Sequence, residues 1–422
     1  MLGKLRMMAG AAALAGLIAG VAGPGAPAAA AAEPIKIGLG MALTGGLAGN
    51  GKAALLALQI WEDDINAKGG ILGRPVKLVS YDDQSNPSTV PGIYSKLIDV
   101  DKVDLVLSGY GTNQIAPAMP VIMQRGMVFM ALFALSLNEQ FHYPYYFDIQ
   151  PTGPDGKVEL SRGFFDLAMA QQPKPQTVAI VAADAEFAKA AAEGARENAK
   201  RVGLKIVYDK TYPPSTVDYT PVVRAVQATN PDIVFVGSYP PDSAGIIRAA
   251  SEIGLKAKMF GGGMVGLQFA ALKTQLGAML NGIVDFDYYV PAPTLNFTGI
   301  ENFIKRYQAK AGAAGVDPLG FYLPPYAYAE GQILAEAAEA THGLDQKKMG
   351  DYIRSHVLHT IVGDIKFADN GEWATPRVLE VQFQGIKGND LDQFKKPSAQ
   401  VVLYPAAVKS GKLIYPYNDA QR

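Results

Sequence analysis

Two doubly wound α/β lobes, each built on a parallel sheet, are the fold class the sequence predicts, and three observations carry that prediction. Short runs rich in β-branched and aromatic residues alternate with longer stretches of helical period, the pattern of parallel strands covered by helices. The alternation occurs twice, first over residues 35–107 and again over 178–236. A chain of 422 residues, 49% hydrophobic and 18% charged, also has the length for two cores.

Strands are expected at residues 35–39, 76–81, 105–107, 127–131, 178–181, 205–208, 233–236 and 282–286. Between the first two, residues 52–66 place Ala53, Leu56, Ala57 and Ile60 on one face at helical spacing. Both passes end in a loop rich in Gly, Ser, Thr, Asn or Tyr. Residues 151–156, Pro-Thr-Gly-Pro-Asp-Gly, form the break where the first lobe hands over to the second.

Charge is balanced, with 38 Lys plus Arg against 39 Asp plus Glu. No field is present that would gather nucleic acid or anionic lipid. The N-terminus opens on Lys4 and Arg6, runs apolar over residues 7–23 and leaves through five alanines at 28–32. That order is a secretory signal peptide, expected over residues 1–32 with cleavage after Ala30 or Ala32. Gly20, Gly23, Pro24 and Pro27 leave too little continuous apolar length for a membrane span. The chain has no cysteine, so neither a disulfide framework nor a lipid-bearing cysteine is available.

The stretch Trp61-Glu62-Asp63-Asp64-Ile65-Asn66-Ala67-Lys68-Gly69-Gly70-Ile71-Leu72-Gly73-Arg74-Pro75-Val76 joins an acid-rich helix end, a Gly-Gly stop, a short turn and a strand. It resembles the signature of bacterial periplasmic solute-binding proteins of the type I fold, in their branched-chain amino acid and amide group. The resemblance runs from about Glu33 to Tyr404. It implies a hinge of three crossings, near 151–156, 285–293 and 363–367, with lobe 1 at 33–148 plus 287–364 and lobe 2 at 149–286 plus 365–422. It also implies a monomeric periplasmic protein that closes on a small molecule and delivers it to a membrane permease powered by an ATPase, the arrangement of an ABC importer. No cofactor and no nucleic-acid partner is expected. A periplasmic sensor of the same fold, or a binder of branched-chain amino acids or amides, is the alternative.

In open parallel sheets the ligand sits beyond the carboxyl ends of the strands, where helix N-termini present unpaired N–H groups. The first such loop, 42–51, is similar to the family's first binding loop and offers Asn50, either as a ligand contact or as a helix cap. The second, 108–118, looks like the family's carboxylate-holding loop. Thr112 matches its hydroxyl position, with Tyr110 and Asn113 beside it, and a helix start there favours an anion. The third, 132–137, offers Phe133 and Ala134 where amino acid binders place small and hydroxyl residues. Across the cleft, Phe187 and Tyr239 match the two aromatic positions that close over the ligand.

Amino acid binders of the family carry an acidic residue after the strand near 258–260, to pair with the ligand's ammonium. Here the run is Gly261-Gly262-Gly263-Met264-Val265, and Gly263 is the match. A charge-assisted hydrogen bond contributes roughly 1.5–3 kcal/mol, and each ~1.4 kcal/mol is tenfold in affinity. The expected ligand is therefore a carboxylate without an ammonium, with an apolar or aromatic body. Asp184, Glu186 and Asp242 are the acids that could substitute.

Hydrolytic motifs are missing: neither Gly-x-Ser-x-Gly nor His-Glu-x-x-His occurs. Gly38-Leu39-Gly40 lacks the third glycine of a dinucleotide loop. Of four histidines only His356 and His359 have the spacing of a helical pair, and no third metal ligand accompanies them. An enzyme is not expected.

Overall fold

The computed structural model describes residues 33–421. The expected signal peptide, 1–32, lies outside them. The first sheet contains β1 (Ile35–Met41), β2 (Val76–Asp82), β3 (Leu105–Tyr110), β4 (Phe129–Leu132) and β5 (Tyr146–Asp148) in the order β2-β1-β3-β4-β5. All four pairings are parallel. The second sheet contains β6 (Thr177–Ala183), β7 (Lys205–Tyr212), β8 (Ile233–Ser238), β9 (Met259–Met264) and β10 (Val284–Asp287). After a small hairpin of β11 (Leu358–Thr360) and β12 (Gly363–Ile365), β13 (Leu379–Phe383) and β14 (Gln400–Tyr404) complete it in the order β14-β13-β10-β9-β8-β6-β7. β13 and β14 join antiparallel to an otherwise parallel set.

The strands are buried on both faces, as in parallel sheets covered by helices: β3, β8 and β9 have no exposed residue. On the first sheet the helix Ala48–Ala67 packs on the helix Leu323–Thr341. Close approach there depends on Gly331, because a Cβ would sit 2.3 Å from the Trp61 ring. The signature stretch ends this first helix as expected. Gly69 and Gly70 take φ of +102° and +82°, a region glycine enters without steric penalty, and a Cβ on Gly70 would lie 1.8 Å from the Arg74 carbonyl.

Two findings differ from the sequence reading. The Gly261-Gly262-Gly263 run is strand, not loop: β9 continues to Met264 and pairs with β8 along its full length. Strand glycines mark close approach of neighbouring atoms; a Cβ on Gly262 would meet the Phe235 ring at 2.3 Å. Second, residues 363–365 form β12 in a hairpin against β11, not a crossing. The chain stays beside the first sheet as far as Gly371, whose carbonyl accepts from Asp148 N–H at 2.9 Å. It passes over where Arg377 N–H donates to the Pro151 carbonyl at 2.7 Å, just before β13. His356 closes the helix Gln346–Ser355 and His359 lies on β11, so the two do not share a helical face. In the tail, Tyr417 is buried against Phe260 with ring centroids 5.5 Å apart.

Candidate functional site

Between the carboxyl ends of the two sheets lies a narrow pocket whose walls come from both lobes, the placement expected of a small-molecule site in this kind of fold. Tyr110 ends β3 and enters from the first sheet, followed by Gly111, Thr112 and Asn113, with Phe133 after β4. Phe187, Tyr239 and Val265 enter from the second sheet, following β6, β8 and β9. Leu47, Gln150 from the first crossing and Tyr322 from the start of the helix Leu323–Thr341 complete the lining.

The first-sheet wall supplies the polar groups. Gly111 adopts φ +88°, and Thr112 opens a helical run that continues to Arg125. The first amides of a helix have no acceptor within it, and their partial positive charge faces whatever lies beyond. Thr112 is 4% exposed, and its Oγ1 has no hydrogen-bond partner. That hydroxyl therefore caps nothing, and it is free for a ligand.

Aromatic rings form the rest. Phe133 stands at φ +68°, an uncommon conformation for a residue with a side chain, and meets Tyr322 at 5.3 Å, Tyr326 at 5.2 Å and Tyr288 at 4.9 Å between centroids. Phe187 and Tyr239 meet edge to face at 6.0 Å. Burial pushes the Tyr110 hydroxyl up to about 12 and those of Tyr239 and Tyr322 upward as well, so all three stay protonated donors at neutral pH. The lobes meet at Asn113, whose Oδ1 accepts from Tyr239 Oη at 2.8 Å and Phe187 N–H at 3.3 Å. This is a closed arrangement.

Of the residues expected to touch a ligand, Tyr110, Thr112, Asn113, Phe133, Phe187 and Tyr239 line this cavity. Three others are placed elsewhere. Asn50 sits in the first turn of its helix beside the Tyr110 hydroxyl, lining an adjoining groove with Gly266 and Phe269. Ala134 is buried, with its N–H committed to Asp148 Oδ2 at 2.9 Å. Gly263 lies within β9, where a Cβ would face Val236 and Ala191 rather than the cavity. From the β9 end the side chain that reaches the cavity is Val265.

The alternative acids do not enter either. Asp242 accepts from Tyr212 at 3.1 Å and Tyr219 at 2.8 Å, Asp184 pairs with Lys189 at 3.3 Å, and Glu186 lines an adjoining charged crevice that shares Thr112 with the cavity. The cavity lining contains no Asp, Glu, Lys or Arg. Leu47, Gln150, Val265 and Tyr322 were missed by sequence reasoning. The Phe321-Tyr322-Leu323-Pro324-Pro325 helix start was the available signal for Tyr322, since Pro belongs in a first turn.

Carboxyls lie immediately behind the lining. Asp148 accepts from Gln150 N–H and Ala134 N–H, each at 2.9 Å. Burial raises its pKa, opposed by those bonds. Asp287, which ends β10, is pushed up to about 6 by burial, with Lys273 pulling it down. Glu330 is fully buried with neither carboxyl oxygen bonded, and burial drives it well upward.

Two doubly wound lobes with an enclosed gap between their strand ends, and a hinge of crossing segments, define a ligand-capturing clamp. Residues 34–382 match the model of the periplasmic binding protein family, and the chain belongs to that family. It is 26% identical over 385 residues to the Leu/Ile/Val-binding protein homolog 8 of Brucella abortus, covering 89% of this chain and 94% of that one. Among solved structures it is similar to the branched-chain amino acid transporter substrate binding protein of Streptococcus pneumoniae in complex with isoleucine, at TM-score 0.70 and 20% identity over 88% and 100% of the chains. It is also similar to a solute binding protein of an ABC transporter from R. palustris in complex with benzoate, at TM-score 0.72 and 18% identity over 90% and 98%.

Proposed function

We propose that this chain is the periplasmic substrate-binding component of an ABC importer of the branched-chain amino acid type, and that its cargo is an aromatic or apolar carboxylic acid without an ammonium group. One observation carries the ligand class: a cavity walled by aromatic rings and the unpartnered Thr112 hydroxyl, with no charged side chain in its lining. An α-ammonium entering it would lose its hydration with no counterion, at several kcal/mol. A carboxylate would instead meet the Thr112 hydroxyl and the helix start, while its ring packs among Phe133, Phe187, Tyr239 and Tyr322. Structural relatives occupied by isoleucine and by benzoate exist on the same fold, and the lining here favours the second kind. No helix of the described residues is long and apolar enough to cross a membrane, in keeping with a protein that hands its cargo to a separate permease.

Binding acts by population shift: the cargo stabilises the closed form through the contacts it makes only there. The test is a thermal-shift panel of leucine, aliphatic amides, benzoate and phenylpropenoate acids on the mature protein. A ligand at 100 times its dissociation constant should stabilise the fold by about 2.7 kcal/mol. Aromatic acids are expected to raise the melting temperature, and a rise with leucine alone would overturn the ligand class.

A further inference from the structure

At the interlobe crossing, Gln150 is 2% exposed and lines the cavity. Its backbone is fixed on both sides: the N–H donates to Asp148 Oδ1 at 2.9 Å, and the carbonyl accepts from Thr152 N–H at 2.8 Å. Its side-chain Nε2 donates to the Tyr288 hydroxyl. Its Oε1 is buried and accepts from nothing. The Tyr288 ring whose hydroxyl holds the amide is itself packed against Phe133 and stacked on Tyr322.

Resting on the reading of the cavity as an aromatic-acid site, we infer that Gln150 selects among such acids for one bearing a hydrogen-bond donor on its ring, an O–H or N–H group that donates to Gln150 Oε1. A buried acceptor without a partner is penalised, and a site built around one discriminates strongly against the analogue that cannot donate. The same oxygen opposes a carboxylate, which is acceptor-only when ionised. Gln150 therefore also orients the cargo, turning the carboxylate towards Thr112 and the ring substituent towards the crossing.

Calorimetric titration of the wild-type protein and of Gln150→Leu, with benzoate and its monohydroxy, monoamino and monomethoxy isomers, tests this. In the wild type one hydroxy or amino isomer should bind about tenfold or more tightly than benzoate, and the methoxy analogue should gain nothing. In Gln150→Leu that ratio should fall to near one. The hydroxy and amino arms separate the two donor types. Benzoate or a methoxy isomer binding the wild type as tightly as every donor-bearing isomer overturns the role of Gln150 and leaves the aromatic-acid reading standing. Binding of no aromatic acid by the folded wild type overturns both. The wild-type ligand series decides the matter even where the variant fails to fold, and Gln150→Asn, which retracts the amide, should reduce the ratio in the same direction.

Discussion

The cavity is lined by rings, one free hydroxyl and two side-chain amides, whereas the adjoining layer holds Asp148, Asp285, Asp287, Asp317, Glu330 and Lys273, all buried. Both regions are largely buried, yet carboxyl and ammonium groups occupy only one of them. In the outer layer most carboxyls are bonded to backbone amides: Asp285 takes Met264 N–H at 2.9 Å, Asp317 takes Ala270 N–H at 2.9 Å, and Asp287 takes Tyr288 N–H at 2.8 Å. Lys273 Nζ reaches Gln400 at 2.6 Å, and Gln400 reaches Asp287 at 3.3 Å. This layer of carboxyls holds crossing segments and strand ends in place. It is kept away from the cargo, so the selectivity of the gap rests on shape, rings and a few neutral hydrogen-bonding groups.

Moving a charge from one region into the other is the most direct way to break that comparison. Val265→Glu would set a carboxylate on the cavity wall, and like charges in contact across a binding site cost several kcal/mol. Affinity for the best aromatic acid should fall by about 100-fold or more; titration showing less than about threefold would mean that Val265 does not face the cargo. Thr112→Val removes the free hydroxyl and keeps the shape. Loss of about 10- to 100-fold in affinity is expected from one charge-assisted hydrogen bond, with the ligand-free melting temperature unchanged or raised, because no protein partner is orphaned.

The outer layer is tested by pH. Burial pushes Asp287 up to about 6, against about 3.9 in an unfolded chain. Between those values the folded form keeps protons that the unfolded chain releases, so stability falls as pH rises through about 4 to 6. Carboxylates held low by partners, such as Asp64 beside Arg306 and Asp232 beside Lys258, lose their contribution only below that window. The melting temperature should therefore decline from pH 4.5 to pH 7, and an upward slope would contradict the assignment. The smallest effect is expected at Glu330→Gln. Removing a buried acid with no hydrogen-bond partner should leave stability within about 1 kcal/mol or raise it, with a shallower pH slope in the same melting experiment.

The parallel core was legible because β-branched runs mark buried strands: all eight expected segments overlap strands of the two sheets. The polar wall was legible too, since Thr112 follows a strand and precedes a helix. What stayed hidden depended on distant packing. The triple glycine reads as loop by propensity, and its pairing with β8, distant in sequence, makes it a strand. That misreading put Gly263 where Val265 belongs. Leu47, Gln150 and Tyr322 come from a loop end, a crossing segment and a helix start far apart in sequence, so no local pattern joins them. β13 and β14 were unread because each is short and joins the sheet antiparallel after a long excursion.

Asn113 Oδ1 receives both donors that the opposite lobe offers at the mouth of the gap. Whatever is enclosed, reopening must break the same two bonds and part the same edge-to-face pair of rings from that wall. Every release therefore carries that shared cost, to which each passenger adds the contacts it makes only while the clamp is shut.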